Sequence, residues 1–251
     1  MLSCVQALRA CIVSLITALC LCSSALGAPS WEQIHEEEGI KVYRRDSALG
    51  ELPDFKGTGR VKASLFDVLA VIRNVNRRTE WVFRCEASKV VKRFTDFEVL
   101  LYHKTYSPWP ASDRDAAIRT QLYELEPGKH YLAHFRGVKS ELIPERESNI
   151  RLPQIEGYYL LKELSPEETH VTYFVHLDPG GYLPHWLVKM TTVDFPTETL
   201  MGLRKQVKKT KAAGVYRSFH ERWNPRVRPE GTPAPHKLMR PSRALMKRLG
   251  I

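Results

Sequence analysis

Nine histidines in a chain of 251 residues are the first candidates for chemistry, because a neutral imidazole both ligates metals and moves protons near neutral pH. Their spacing supports neither use. His130 and His134 fall on one face if their segment is extended, but no third ligand or paired motif accompanies them. The expectation is therefore no metal site. No nucleophile elbow is present, and Gly57-Thr58-Gly59 sits in a strand-like run without the rest of a phosphate-binding fingerprint. Glu141, Glu145 and Glu147 cluster in a loop, where solvated charge is the default. Catalytic residues and cofactors are accordingly expected to be none.

Cysteine could still supply a nucleophile, so its placement matters. Cys4, Cys11, Cys20 and Cys22 all lie in the first 27 residues. That stretch has a single positive charge at Arg9, an apolar run from Ala10 to Leu21, and the small-residue ending Ala25-Leu26-Gly27 before Ala28. It has the layout of a secretory signal peptide, with an uncleaved membrane anchor as the competing reading. Acylation at Cys20 or Cys22 is disfavoured, since Leu19 and Leu21 stand where a small residue is needed. Removal of residues 1–27 leaves Cys85 alone, so no internal disulfide can form and stability must come from the core. Cys85 itself reads as a buried small apolar side chain. An exported protein, periplasmic or secreted, is the expectation, with three parts: residues 1–27 as signal, 28–223 as one domain, and 224–251 as a tail.

The net charge is +10, and much of the excess lies in that tail. Arg226, Arg228, Lys237, Arg240, Arg243, Lys247 and Arg248 stand there against Glu230, interspersed with Pro225, Pro229, Pro233, Pro235 and Pro241. The prolines forbid regular pairing or helix over much of its length. This reads as a flexible basic arm, attracted to anionic membranes or to nucleic acid. Export favours the membrane, and no nucleic-acid partner is expected; solvated disorder without a partner is the alternative.

The elements that must position any site follow from periodicity. Ser64 with Asp67 makes a capping-box start, after which Leu65, Val68, Leu69, Ile72 and Val75 recur on one helical face. Period-two segments follow at Glu98–Tyr106, Asp115–Glu124, His130–Val138, Gly157–Leu164 and His170–Leu177. In the last, Val171, Tyr173, Val175 and Leu177 share one face. Serial strands with short breaks make an antiparallel meander. From Pro184 to Phe219 the period becomes helical, with Trp186, Leu187, Met190, Val193, Leu200, Leu203, Val207 and Val215 as an apolar stripe that Pro196 should kink. The predicted order is helix, strands, long helix, tail. That is an α+β fold in which a long C-terminal helix closes over a curved antiparallel sheet, the space between being packed core or hydrophobic cavity.

Two stretches carry a family resemblance: Ser107-Pro108-Trp109-Pro110-Ala111-Ser112-Asp113-Arg114-Asp115, leading into a strand, and Asp178-Pro179-Gly180-Gly181-Tyr182-Leu183-Pro184, leading into the last helix. With Trp81 after the early helix, they resemble the START family, the lipid-transfer domains related to steroidogenic acute regulatory protein, over about Trp31 to Phe219. The resemblance implies a helix-grip fold around one lipid-sized cavity, lidded by the last helix and the proline-rich loop, and a monomeric binder of a phospholipid, fatty acid or sterol-like molecule.

The resemblance also assigns roles. Arg114 matches the arginine that meets the headgroup phosphate in phospholipid-binding members, and a guanidinium in a low-dielectric pocket can fork onto oxyanions. The other reading has Arg114 and Asp115 bridging loop to sheet. Arg119, on the face of Ala117 and Gln121, is a second ligand candidate. Ser107 replaces an aromatic residue of phosphatidylcholine binders, which weakens that assignment. Trp81, Tyr106, Tyr158 and Tyr173 are available as a cage for a quaternary amine, or as core. Trp109 in the proline-rich loop and Met190 on the last helix complete the set of expected ligand contacts. The same grip architecture hosts enzymes, among them cyclases and hydrolases, so an enzyme is the alternative function.

Overall fold

Period-two patterning becomes one ten-stranded sheet in the computed structural model, which describes residues 30–181, 193–231 and 238–251. The strands are β1 (Glu32–Glu37), β2 (Ile40–Arg45), β3 (Asp54–Val61), β4 (Cys85–Thr95), β5 (Glu98–Thr105), β6 (Asp113–Glu126), β7 (His130–Gly137), β8 (Asn149–Arg151), β9 (Gln154–Ser165) and β10 (Glu168–Asp178). Their order across the sheet is β1-β2-β3-β10-β9-β7-β6-β5-β4, antiparallel at every step, with the short β8 running parallel to β6. The five predicted strands are present, three with wider bounds and two, β5 and β7, one residue shorter at the C-terminal end. The predicted order of elements is incomplete, because three strands precede the early helix. Apolar alternation hides them: β1 is largely exposed and charged, and β3 contains Gly57 and Gly59. β4 escaped for a similar reason, being exposed over most of its length and bulged against β5.

The early helix spans Leu65–Arg73 and starts where the capping box places it, with the Asp67 amide donating to Ser64 Oγ at 3.2 Å. Its apolar residues and those of the long helix, Phe195–Ala212, meet one face of the sheet. Pro196 occupies the first turn of that long helix, where its missing N–H costs nothing, so it does not kink the described segment. The predicted run to Phe219 is broken at Gly214, which takes φ +63, and a short helix, Arg217–Trp223, follows. Val215, assigned to the apolar stripe, is exposed as a result. Pro184, Trp186, Leu187 and Met190 lie outside the described residues. Close approach depends on glycine: a Cβ on Gly202 would sit 2.1 Å from the Trp81 carbonyl oxygen. Arg204 then ties the helix to the sheet edge, donating to the Arg60 and Glu38 carbonyls, each at 2.8 Å.

The tail departs from the expectation of a flexible arm. After Pro241 no proline remains, and Arg243–Leu249 forms a helix capped by Ser242 and ended by Gly250 in the left-handed region. Leu249 is 0% exposed, packed with Leu132, Tyr158 and Phe174 on the sheet face opposite the long helix. Arg248 reaches Glu156 at 2.6 Å, and Glu156 in turn pairs with His134 at 2.8 Å. Leu249→Ala should therefore cost about 2 kcal/mol or more in urea unfolding. An unchanged midpoint would mean that the terminal helix is not held on the sheet.

Candidate functional site

Side-chain alternation decides what faces the long helix. On β6 the even positions Ala116 and Ile118 join the core beneath the helices, as do Phe135 on β7, Tyr159 on β9 and Tyr173 and Val175 on β10. Between these strands and Phe195 of the long helix lies a cavity. It is a narrow, mostly apolar slit of about 840 Å³, mouth included. Its polar wall residues are few: Arg78, His103, Thr105, Ser107, Arg114, Tyr159 and Tyr173.

Arg78 is the outlier among them. Beyond the early helix the chain tightens into a 3-10 turn, Val75–Glu80, which swings Arg78 into the wall. It is 6% exposed, its Nε has no hydrogen-bond partner, and no carboxylate forms an ion pair with it among the described residues. Burial lowers its pKa, opposed by the neighbouring Tyr159, Cys85 and Tyr173. The same burial, followed by the Arg78 charge, presses His103 down to about 3, so the imidazole is neutral. Burial also pushes the Cys85 thiol up to about 11, with Arg78 opposing. Cys85 Sγ lies 3.7 Å from His103 Nδ1, but a protonated thiol beside a neutral imidazole is no activated nucleophile.

Two of the residues singled out from sequence line this cavity. Tyr173 stacks on Tyr159 with ring centroids 4.7 Å apart. Arg114 is 4% exposed at the mouth, and its guanidinium is occupied by loop oxygens: Ser112 at 2.6 Å, Pro179 at 3.3 Å, and Ser107 Oγ and Gly180 each at 3.4 Å. It clamps the two motif loops together while bordering the cavity, and Asp115 on the other face pairs with Arg151 at 2.6 Å.

The other candidates fall elsewhere. Arg119 is five residues from Arg114, an odd step, so it points through the opposite face and pairs with Glu98. Tyr158 takes that opposite face too, stacked on Phe174 at 4.9 Å. His176 follows Tyr158 there, 3.0 Å from Asp54. Trp81 packs behind the wall, edge-on to Tyr159 at 5.9 Å. Tyr106 is half-exposed beside Arg84, and Trp109 is 91% exposed at the tip of the proline-rich loop. Met190 lies outside the described residues. Arg78, His103 and Tyr159 are what sequence reasoning missed. A signal existed for Arg78, since the apolar face running through Ile72 and Val75 arrives three residues later at an arginine.

The depressed His103 gives a pH signature. Its unfolded value of 6.5 exceeds the folded value of about 3, so between these pH values the unfolded chain binds the extra proton. Stability associated with this group is full above pH 6.5 and falls by about 1.4 kcal/mol per unit as pH drops towards 3. His103→Gln should flatten the wild-type decline in chemical-denaturation stability between pH 6 and 4. Parallel curves would show that His103 is solvated.

A START domain model matches residues 21–211. An uncharacterized protein of Pseudomonas aeruginosa is 30% identical over 182 residues, covering 72% of this chain and 89% of its own length. The phosphatidylcholine transfer protein of Rattus norvegicus is 23% identical over 167 residues, 65% of this chain and 77% of that one. Among solved structures, a STAR-related lipid transfer protein fragment from Xanthomonas axonopodis superimposes with a TM-score of 0.64 at 32% identity, over 71% of this chain and 98% of that chain. A curved antiparallel sheet gripped by a long helix, together with a family match over most of the length, makes this chain a member of the START domain family.

Proposed function

We propose that this protein is a lipid carrier without turnover, holding one lipid whose oxyanion headgroup meets Arg78. The observation that carries this reading is the buried Arg78 guanidinium, unpartnered among the described residues, in an otherwise apolar wall. A cation so placed is costly unless a counter-charge arrives, and a phosphate or carboxylate supplies it through charge-assisted hydrogen bonds. The apolar strands offer burial to an acyl chain at about 25 cal/mol per Å². Phosphatidylcholine transfer by one relative and lipid transfer by another support the same cargo class. The wall suits binding better than acid-base chemistry, since His103 is neutral at any physiological pH and no carboxylate appears among the described wall residues.

Loading requires the slit to widen, and Pro179, Arg114 and Phe195 are among the residues that line it. Trp109 projects into solvent from the loop that Arg114 clamps, and an amphipathic indole favours the membrane interface. Arg240, Arg243 and Lys247 in the tail are exposed, without an ion-pair partner among the described residues, and suit transient docking on an anionic leaflet. Export belongs to this reading: protein recovered from the periplasm or medium should begin at Ala28, and a cytosolic chain retaining residues 1–27 would contradict it.

Native mass spectrometry of the purified protein should show one co-purifying lipid carrying a phosphate or carboxylate. Arg78→Met should lower affinity for that lipid at least about tenfold. The same change should raise the melting temperature of the delipidated protein, because it removes a desolvated charge. Repeated recovery of protein that neither carries nor takes up phospholipids, fatty acids or sterols would sink the proposal, as would undiminished binding by Arg78→Met.

A further inference from the structure

The cavity bordering Pro179 is not the end of the hollow. Along the same sheet face, two residues further on β6 and β7, a second cavity of about 900 Å³, mouth included, is walled by Ile72, Val75, Val99, Leu122 and Ala133. Arg78 belongs to the walls of both cavities. At its outer end the second cavity meets Arg73, Arg93 and Phe219, and the adjoining surface pocket adds Arg222 and Trp223. Among the described residues none of these three arginines forms an ion pair with a carboxylate, and Asp96 is the acid that borders the opening. Arg73 is held in place: it donates to the Asp96 carbonyl at 2.6 Å and lies 5.3 Å and 4.8 Å from the ring centres of Phe219 and Trp223. Burial, then the nearby Arg93 charge, lowers its pKa to about 10.

We infer that this opening is a second ligand site, taking a single-chain amphiphile whose oxyanion head, carboxylate or phosphate monoester, sits among Arg73, Arg93 and Arg222 with its chain running inward towards Arg78. Three observations converge. A rim of three guanidinium groups that outnumber the one bordering acid, Asp96, which acts on Arg73 without an ion pair among the described residues, attracts an oxyanion and can fork onto it. The wall behind it offers Ile72, Val75, Val90, Val99, Leu122 and Ala133 to an alkyl chain, beside the polar Asn74 and Thr120, and reaches Arg78. Thr120 Oγ1 in that wall is buried without a hydrogen-bond partner, and Arg78 Nε at the inner end is likewise unpartnered. A merely solvated basic surface would account for the rim but not for the hollow behind it. The inference goes beyond a carrier with one mouth, and it does not need a phospholipid at Arg78.

The test uses the delipidated full chain and 9,10-dibromostearate, whose bromines quench tryptophan. The difference in quenching between wild type and Trp223→Phe isolates this end of the molecule. The acid should bind wild type at least about tenfold more tightly than its methyl ester. Arg73→Gln with Arg93→Gln should bring the acid to the level of the ester while leaving the ester unchanged, which also shows that the variant is folded. Equal binding of acid and ester by wild type overturns the inference, as does an acid affinity that the double substitution leaves intact. Inorganic phosphate bound as tightly as the acid would identify a free-anion site and overturn it as well. Failure of the phospholipid experiment at Arg78 leaves these outcomes readable, because the probe carries its own quencher.

Discussion

A guanidinium cannot be withdrawn from water into an apolar wall without several kcal/mol of desolvation cost unless something compensates its charge. Arg78 is in that position, flanked by tyrosine hydroxyls, a protonated thiol and a neutral imidazole rather than by a carboxylate. The surrounding architecture supplies the rest of the cost. The early helix packs seven buried residues against the sheet immediately before the 3-10 turn, and Trp81 immediately after it is wedged under Gly202 of the long helix. With both flanks pinned, Arg78 stays buried in the cavity wall. On the proposed reading an entering oxyanion supplies that compensation, which would couple cavity occupancy to stability.

The two faces of the sheet divide the work. The face away from the long helix is closed by the protein itself. Trp31 lies edge-on to Phe174 with Arg45 and Lys56 over its ring, and the terminal helix lays Leu245, Met246 and Leu249 over Tyr158 and Leu132. Buried polar pairs, His176 with Asp54 and His134 with Glu156, are satisfied on that side. The opposite face holds the larger hydrophobic core, beneath the early and long helices, and the cavity occupies only part of it.

The long helix is anchored by the segment that carries Arg78. Glu80 accepts from Gln206 at 3.0 Å and pairs with Lys209 at 3.4 Å, while Arg77 beside it holds the carboxyl down at about 2. The wall cation and the roof over it are thereby joined through three residues of chain.

Sequence alone determined the period of each element, and through it the fold class. The capping box at Ser64 and the alternation from Glu98 to Leu177 hold in the structure, and the family resemblance holds in the START domain match. Alternation also contained more than was taken from it, because an odd separation already places Arg119 opposite Arg114. What tertiary structure decided is which face is hollow, how the polar strands β1 to β4 complete the sheet, and where the tail folds back. Period-two patterning assigns side chains to one of two faces without saying which face a distant helix will cover. Arg78 became a site residue only when strands more than twenty positions away in sequence closed around it, removing the water that would otherwise have made it an ordinary arginine.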